Sequence, residues 1–297
     1  MGFYEELVDF TQAKIKLFEP MKNHTGYKVG GAAKFYAEAD SLYGINILSS
    51  LCKKYKVPYK VLGNGTNVLF SDQGYDGLVI NSKKLCDVFF KRDEVRAMAG
   101  ASLDKLIKFA FEHRLSGVEM LAGIPATVGG AVVMNAGAFG HNISDCITSV
   151  ETLYNGKIKF YNKEECKFCY RGSRFLGKKE IIISASFHFR DSERDIIAAG
   201  IKTYSELRKT LHPTGRSCGS VFKNPTPSSA GALIDRAGLK GFSVGKAKIS
   251  DKHGNFIITE RGATATDVYL LVQFIKEKIK NTFDIDLVEE VEFVGEF

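Results

Sequence analysis

Two glycine-rich stretches could hold a phosphorylated ligand through the main chain. Residues 121–140 (LAGIPATVGGAVVMNAGAFG) are built mainly of glycine, alanine and aliphatic residues, and residues 63–67 read GNGTN. Side chains this small leave backbone N–H groups accessible, so a diphosphate or a flat ring could approach closely. We expect residues 127–134 to form a short helix whose first amides face that ligand. A packed core turn for the longer stretch, and a polar β-turn for the shorter one, remain as alternatives.

Three side chains outside these loops could bind anions or move protons. Arg171 lies beside a tyrosine in an apolar neighbourhood, and its guanidinium suits a carboxylate or a phosphate, although a solvated turn is the alternative. Ser220 stands between a glycine and a strand-like Val-Phe pair, without the G-x-S-x-G of a nucleophile elbow. No histidine is in register to act as its base, although His253 could fold nearby. If Val288 faces the core, Glu290 shares that face, which is unusual for a packing strand.

The elements that position these residues are predicted from periodicity and capping signals. Residues 23–40 should form a strand, a glycine turn and a second strand, followed by a helix that Ser41 caps and a strand that leads into Gly63. This order implies a parallel pair of strands. Val68 occupies the third glycine position of G-x-G-x-x-G, so a doubly wound dinucleotide fold is disfavoured. Further helices are expected at the N-terminus (MGFYEELVDF), at 103–114 with Ser102 as cap, at 193–210, at 230–237 with Ser228 or Ser229 as cap, and at 266–281. Further strands are expected within 77–100 and at 147–153, 157–161, 180–190, 255–259 and 286–295.

Composition excludes several classes of protein. At 297 residues, with 44% hydrophobic and 25% charged residues, the chain has the balance of a globular protein with one to three cores. The net charge of +7 favours anionic ligands, but the basic residues are scattered, so nucleic acid is not expected. The chain shows neither a signal peptide nor an apolar run that could span a membrane, so we expect a cytoplasmic protein with reduced thiols. Cys166 and Cys169 form a lone C-x-x-C, so we expect packing thiols and no metal site.

Five motifs occur along the chain in this order: Gly63-Asn-Gly-Thr-Asn67; Gly123-Ile-Pro with Gly129-Gly130-Ala131 and Asn135-Ala136-Gly137; Tyr170-Arg171-x-Ser173-x-Phe175; Gly219-Ser220-x-Phe222-Lys-Asn-Pro225; and Glu290-Val with Gly295. Taken together, they resemble the motifs of the UDP-N-acetylenolpyruvoylglucosamine reductases, the MurB family, over nearly the whole chain. Ala126 departs from the pattern, because many relatives carry glycine there, and its methyl group would narrow the approach to the cofactor slightly. The short span between Arg171 and Ser220 resembles the compact subgroup that lacks an extra tyrosine-bearing loop.

The resemblance implies an α+β fold: a two-subdomain FAD-binding fold similar to the vanillyl-alcohol oxidase type, plus a smaller α+β substrate-binding domain. The expected domains are 1–82, to which a C-terminal strand at 285–297 could return, 83–205, and 206–284. The resemblance also implies FAD and NADPH as cofactors. Hydride would pass from NADPH to FAD and then to the enol ether of UDP-N-acetylglucosamine enolpyruvate, giving UDP-N-acetylmuramate for peptidoglycan. These small molecules are the only partners expected, without nucleic acid or membrane, and a monomer is expected.

By the same resemblance, Ser220 is the proton donor and Glu290 assists carboxylate activation in its protonated form, with nearby acids and burial raising its pKa. Arg171 suits the substrate carboxylate, into which carbanion charge spreads after hydride addition. Apart from the resemblance, we expect Lys223 or an ordered water to assist Ser220. The implied cofactor-binding residues are Gly63, Asn64, Gly65, Thr66, Asn67, Gly123, Ile124, Pro125, Val128, Gly129, Gly130, Asn135, Ala136 and Gly137, and the implied substrate-binding residues are Tyr170, Lys223, Asn224 and Asn255.

Two other functions fit parts of the sequence. An FAD-dependent oxidase of an alcohol or a sugar could share the fold, and it would need fast reaction of the reduced flavin with oxygen. A nucleotide-binding module without catalysis would leave Arg171, Ser220 and Glu290 unexplained.

Overall fold

The computed structural model describes residues 2–9 and 13–297. By internal contacts the chain divides into two compact units, each assembled from separate stretches. Unit 1 contains the described residues of Met1–Lys16 together with Phe35–Asn64 and Gly77–Arg208, and unit 2 contains Leu17–Lys34, Gly65–Asp76 and Lys209–Phe297. The division into three domains stays a prediction.

Helices and short strands are interspersed along the chain, as expected for an α+β protein. The α-helices of the described residues are α1 (Phe3–Asp9), α2 (Leu42–Lys54), α3 (Leu103–Glu112), α4 (Val128–Met134), α5 (Arg194–Leu211), α6 (Ala230–Arg236) and α7 (Ala265–Phe283). The strands are β1 (Lys14–Pro20), β2 (Ala32–Glu38), β3 (Tyr59–Leu62), β4 (Val68–Phe70), β5 (Tyr75–Asn81), β6 (Val88–Lys91), β7 (Glu94–Met98), β8 (Leu115–Ser116), β9 (Gly137–Ala138), β10 (His141–Asn142), β11 (Ile147–Tyr154), β12 (Lys157–Asn162), β13 (Ile181–Phe187), β14 (Arg190–Asp191), β15 (Ser243–Val244), β16 (Ala247–Ile249), β17 (Ile257–Thr259) and β18 (Glu292–Val294).

Local capping signals fix where several helices begin. Ser41, Ser102 and Ser229 each accept a hydrogen bond from the main-chain N–H three residues later, at 3.1, 3.0 and 3.2 Å. Thr127 does the same for α4, at 3.4 Å. A cap of this kind contributes about 1 kcal/mol to helix stability. The predicted starts of these four helices are confirmed, and the helices expected at 193–210 and 266–281 are found as α5 and α7.

Two predictions for the N-terminal part are wrong. The first strand expected within 23–40 is replaced by a 3-10 turn (Met21–Asn23) and a loop, which the hydrogen bond from the Met21 N–H to the Gly31 carbonyl closes at 2.9 Å. The strand comes earlier, as β1. The expected parallel pair, β2 and β3, are not neighbours, because β5 lies between them in the order β1-β2-β5-β3 and β3 pairs with β5 in parallel. The N-terminal helix is found as α1, with Met1 and Phe10 of that prediction outside the described residues.

Unit 1 contains the antiparallel sheet β12-β11-β13-β7-β6. Every residue of β13 (IIISASF) is buried, as its β-branched and aromatic side chains predict. Val128, Ala131 and Val132 of α4 belong to the same core. Burying one valine side chain contributes about 1.5–3 kcal/mol, so apolar packing anchors the glycine-rich stretch to this sheet. A second core of unit 1 packs α2 against β5.

The core of unit 2 is formed by α6, α7 and the sheet β15-β16-β17. A capping box starts α7, in which Thr264 and Asp267 each accept a hydrogen bond from the other's main-chain N–H at 3.0 Å. Phe222, which is 1% exposed, joins this core from the segment that carries Ser220. β18 pairs in parallel with β4, which directly follows the shorter glycine loop, so the C-terminal end of the chain lies beside that loop.

Candidate cofactor and catalytic site

The start of the shorter glycine loop packs against the longer glycine-rich stretch within unit 1. The Asn64 side-chain amide donates a hydrogen bond to the Pro125 carbonyl at 3.1 Å. Gly63 lies so close to Thr127 that a Cβ atom at this position would overlap the threonine side chain. Glycine is therefore required here by close approach, and the two predicted cofactor loops are in contact.

The rest of the shorter loop, in unit 2, offers main-chain donors. Gly65 has a φ of +65°, in the left-handed region that favours glycine. In the described part of the chain, the main-chain N–H groups of Gly65 and Asn67 make no backbone–backbone hydrogen bond. Gly65 is buried, whereas Thr66 and Asn67 are half-buried. Unbonded N–H groups suit an anion, and the assignment of this loop to the cofactor stays a prediction.

The first amides of α4 are not available to a ligand. The Val128 N–H donates to the Ala101 carbonyl at 2.8 Å. The Gly129 N–H donates to the Ala99 carbonyl, also at 2.8 Å, and the Gly130 N–H is used by the N-cap side chain. The prediction that these amides face a ligand is therefore wrong, because protein acceptors satisfy them. The assignment of the three residues to the cofactor site stays a prediction.

The accessible part of the longer stretch is the turn at 123–125. Gly123 is exposed and has a φ of +79°. Ile124 is half-buried and Pro125 is exposed. At the far end of α4, Ala136 is also half-buried. A ligand can therefore reach this stretch at Gly123 and Pro125, whereas Ile124 and Ala136 also pack against the core.

The predicted catalytic Arg171 is tied to the far end of this stretch within unit 1. Its Nη2 donates to the Gly137 carbonyl at 2.9 Å. The Asn135 side-chain amide donates to the Cys169 carbonyl at 3.0 Å, which fixes the turn that carries the arginine. Arg171 has a φ of +51°, and its guanidinium carbon lies 5.2 Å from the centroid of the Tyr170 ring. A left-handed arginine costs on the order of 1 kcal/mol, so these contacts hold a conformation that the residue does not favour by itself.

Ser220 lies in an extended segment of unit 2 that has hydrogen-bonded neighbours on both sides. On one side it pairs with Phe256, and the Val221 N–H donates to the Asn255 carbonyl at 2.9 Å. On the other side the Glu290 N–H donates to the Val221 carbonyl at 2.8 Å. A Cβ atom on the preceding glycine would meet no atom within 4 Å, so the half-buried serine lies beside open space. The main chains of Ser220 and Glu290 thus lie on adjacent segments that are connected through Val221.

Asn255 supports this segment with its side chain. It is 3% exposed, its Oδ1 accepts a hydrogen bond from the Phe222 N–H at 2.9 Å, and its Nδ2 donates to the Phe222 carbonyl at 2.8 Å. A continued antiparallel ladder would place residue 254 opposite Phe222, but the chain turns there, with the Phe256 N–H bonded to the His253 carbonyl at 3.0 Å. The carboxamide therefore replaces a missing peptide group. Its predicted contact with substrate stays a prediction.

Glu290 is held by its main chain and leaves its carboxylate outside the core. Besides its N–H bond, its carbonyl accepts a hydrogen bond from the Asn67 side-chain amide at 3.0 Å, which connects it to the shorter glycine loop. The expectation that Val288 faces the core is wrong, because Val288 is 56% exposed whereas Leu287 and Val291 are 2% and 4% exposed. Glu290 alternates with the two buried residues, so its half-buried carboxylate is not part of the packing.

The other predicted substrate residues lie at or near the surface. Tyr170 is 51% exposed. Asn224 is exposed, and its Oδ1 accepts a hydrogen bond from the Ala230 N–H at 3.1 Å, at the start of α6. Lys223 is half-buried and its N–H donates to the Val288 carbonyl at 2.8 Å. Their contacts with substrate stay predictions.

Two histidines lie next to the Ser220 segment. The His253 ring centroid is 4.8 Å from that of Phe256 and 5.9 Å from that of His212. The His253 Nδ1 accepts a hydrogen bond from the Asn255 N–H at 3.1 Å, which requires an unprotonated Nδ1. Burial, and then the positive charge of Lys240, hold the pKa of His253 below its usual value. His253 is therefore neutral and is linked to Ser220 through Asn255 and Phe256.

The thiols do not form a chemical site of their own. All six cysteines are free. Cys166 is buried, which raises its pKa to about 12, whereas Cys169 is exposed. Over residues 2–9 and 13–297, no group of three or more His, Cys, Asp or Glu side chains could hold a metal ion. Over the same residues, no helix has the length and apolar character needed to cross a membrane.

Two family models match this chain, one over each part of the candidate site. A model described as an FAD binding domain matches residues 33–159, which include both glycine-rich stretches. A model described as the C-terminal domain of UDP-N-acetylenolpyruvoylglucosamine reductase matches residues 211–294, which include Ser220, Asn255 and Glu290.

Relatives and solved structures match over most of the chain. The UDP-N-acetylenolpyruvoylglucosamine reductase of Anoxybacillus flavithermus is 39% identical over 98% of this chain and 98% of its own, and that of Caldanaerobacter subterraneus is 39% identical over 96% and 95%. The crystal structure of the MurB reductase from Thermus caldophilus, 33% identical, superposes with a TM-score of 0.81 over 96% of this chain and 99% of its own. Phl p 4.0202, a glucose dehydrogenase, shares the fold alone, with 14% identity and a TM-score of 0.51 over 65% of this chain and 44% of its own. The expected FAD-binding α+β fold is confirmed, and the chain belongs to the UDP-N-acetylenolpyruvoylglucosamine reductase (MurB) family.

Proposed function

We propose that this protein reduces UDP-N-acetylglucosamine enolpyruvate to UDP-N-acetylmuramate in peptidoglycan precursor synthesis, with NADPH as reductant and FAD as bound cofactor. The family supports the reaction, and the hydrogen bonds of Glu290 are the observation that carries the site. They join the Asn67 side chain of a predicted cofactor loop to the Val221 carbonyl next to Ser220. A predicted cofactor contact, a predicted proton donor and a predicted acid therefore converge in one unit. A cytoplasmic location and a monomeric state stay predictions.

The residues present fit FAD. Gly123 and Gly130 are exposed and carry no side chain that could cover the main chain. The N–H groups of Gly65 and Asn67 make no backbone–backbone hydrogen bond in the described part of the chain and suit a diphosphate. When bound, FAD supplies the hydride chemistry between NADPH and the enol ether. The protein's own residues must then bind the substrate carboxylate and donate a proton to the carbon next to it.

Arg171 binds and polarises the substrate carboxylate in this proposal. After hydride addition, negative charge develops on the carbon next to the carboxylate and spreads into it, so a fixed cation lowers the barrier. The hydrogen bond to the Gly137 carbonyl uses Nη2 and restrains the guanidinium, so less reorganisation is needed during the reaction. Glu290, in its protonated form, donates a hydrogen bond to the same carboxylate.

Ser220 supplies the proton. Its segment is held by main-chain bonds on both sides, which fixes the direction of its Cα–Cβ bond next to the open space beside the preceding glycine. A serine hydroxyl is a weak acid, so the alkoxide that it leaves must be stabilised and reprotonated. Lys223, three residues further along the same segment, provides the cation for this step. Tyr170 and Asn224 contact the substrate.

Replacing Ser220 with alanine tests the proposal. Ser220→Ala should keep the visible spectrum of bound FAD and the reduction of that FAD by NADPH, and should slow transfer to the enol ether by about 10²–10⁴-fold, the usual share of a general acid. Ser228→Ala, in the same unit, is the control. Near-normal turnover of Ser220→Ala would remove Ser220 from this role. A wild-type protein that binds no FAD would refute the function, and fast oxidation of an alcohol or sugar by oxygen would favour an oxidase.

A further inference from the structure

Arg208 is a half-buried cation near the C-terminal end of α5 that contacts carbonyl oxygens rather than a carboxylate. Its Nε donates to the Ala122 carbonyl at 3.0 Å and its Nη2 donates to the Met120 carbonyl at 3.3 Å. Its guanidinium carbon lies 5.3 Å from the ring centroid of Phe139, which stacks on Tyr204 at 5.5 Å. Burial lowers the pKa of Arg208, which shows that the charge is partly removed from water.

The arginine stem also lies against Gly123. A Cβ atom at Gly123 would approach the Cδ of Arg208 to 3.2 Å and its Nε to 3.5 Å. Gly123 has a φ of +79°, so glycine is favoured there by conformation as well as by space. Arg208 therefore closes over the turn at 120–123, where the longer glycine-rich stretch begins.

The electrostatics of this turn explain what an arginine does there. Met120, Leu121 and Ala122 are buried and Gly123 is exposed, so an anion can reach this turn at Gly123. Carbonyl oxygens close to that point repel an anion. The guanidinium occupies two of these carbonyls with two of its five N–H donors. It also places a full positive charge beside the turn, with three N–H donors left over. The turn, which would otherwise be electrostatically mixed, is thereby made favourable to negative charge.

We propose that Arg208 is a positioning residue for the cofactor: it fixes the turn at 120–123 in the conformation that binds the diphosphate of FAD and gives that turn positive charge. This inference rests on the proposed function. The local sequence does not indicate this role, because Arg208 lies in the helix predicted at 193–210, more than 80 residues from the turn. It adds a residue from α5 to a cofactor site otherwise predicted from glycine-rich loops.

Release of FAD from the purified holoenzyme measures this role. Diluted holoenzyme liberates FAD, whose fluorescence rises on release, and a dilution series gives the dissociation constant. Arg208→Met should weaken FAD binding about tenfold or more, because it loses two charge-assisted hydrogen bonds and the charge. Arg208→Lys keeps the charge but cannot donate to both carbonyls in the same geometry, so its dissociation constant should lie between those of Arg208→Met and wild type. Arg194→Met, on the same helix with a bond to the Glu112 carbonyl, is the matched control and should bind FAD like wild type.

The outcomes separate this inference from the proposed function. Wild-type protein without FAD would refute both, whereas wild-type protein with FAD and an Arg208→Met variant within twofold of its affinity would refute only the role of Arg208. If Arg208→Met does not fold, as judged by circular dichroism, Arg208→Lys decides: unchanged affinity overturns the proposal and weaker binding supports it. In saturating FAD, kcat should return to the wild-type value. A kcat that stays low would place Arg208 in the chemistry and overturn the positioning role.

Discussion

Replacing Asn255 tests whether a side-chain amide holds the proton-donor segment in place. Its carboxamide satisfies both main-chain groups of Phe222, two residues after Ser220, at 2.9 and 2.8 Å. Phe222 is 1% exposed and Asn255 is 3% exposed, so water does not readily replace either bond. The same residue bonds to Val221 through its own carbonyl. Removing the carboxamide should therefore loosen the segment without removing any group that the proposed reaction uses.

The size of the effect follows from these contacts. Asn255→Ala leaves one buried N–H and one buried carbonyl without a partner, and each such group costs about 1–3 kcal/mol. We expect the free energy of unfolding to fall by about 2–6 kcal/mol. Asn255→Asp keeps the acceptor for the Phe222 N–H but sets a carboxylate against the Phe222 carbonyl, so it should be at least as destabilising. Asn224→Ala removes an exposed bond to the Ala230 N–H and should cost about 1 kcal/mol or less.

Unfolding of the holoenzyme in urea, followed by circular dichroism, measures the stability, and steady-state kinetics measures the role. A displacement of about 1 Å at a reacting group can cost about 10²-fold in rate. We expect kcat for enol-ether reduction to fall at least about tenfold in Asn255→Ala, with little change in the KM of the UDP-sugar or in the reduction of FAD by NADPH. A variant of wild-type stability with a raised KM would refute this reasoning, and Asn255 would then be the substrate contact that the sequence predicts.

Three further predictions follow from the site. Arg171→Ala should lower turnover strongly while the protein keeps its flavin colour; loss of flavin instead would make the arginine a cofactor contact. Gly63→Ala should reduce FAD content, because its Cβ would displace the Thr127 side chain that caps α4, and an FAD content equal to that of wild type would contradict the contact. The free energy of unfolding should fall as the pH drops below about 6.5, because the unfolded chain then protonates a histidine that the folded chain keeps neutral. His253→Gln should reduce this slope between about pH 6.5 and the lower pKa of folded His253, and an unchanged slope would rule out His253 as its source.

Local signals in the sequence were sufficient to predict most of the helices and strands. Ser41, Ser102 and Ser229 start helices where their spacing predicts, because an N-cap is decided within one turn of chain. β13 was recognisable because a run of β-branched residues suits a strand with two buried faces. The family was recognisable for another reason, since five motifs in order carry information that no single motif holds.

The errors concern contacts that the local sequence does not contain. The helix at 128–134 was predicted correctly, but nothing in its sequence indicates that Ala99 and Ala101 satisfy its first amides. The position of β5 between β2 and β3 likewise depends on pairing across the chain. The face of Val288 was misjudged because the segment's buried residues, Leu287 and Val291, have the opposite parity. In each case a tertiary hydrogen bond, a strand pairing or a packing contact decided the structure, and the local sequence does not reveal that contact.

The main chain of Glu290 positions neighbouring segments, whereas its side chain has a separate role. Its N–H and carbonyl are both bound, to Val221 and to the Asn67 side chain, so its backbone joins the segment of Ser220 to the loop that precedes β4. Any residue other than proline could make these two bonds, so they do not explain a glutamate at this position. The core does not explain it either, because packing is supplied by Leu287 and Val291. What remains specific to glutamate is its half-buried side chain, and a carboxyl group is what the proposed reaction requires at this position.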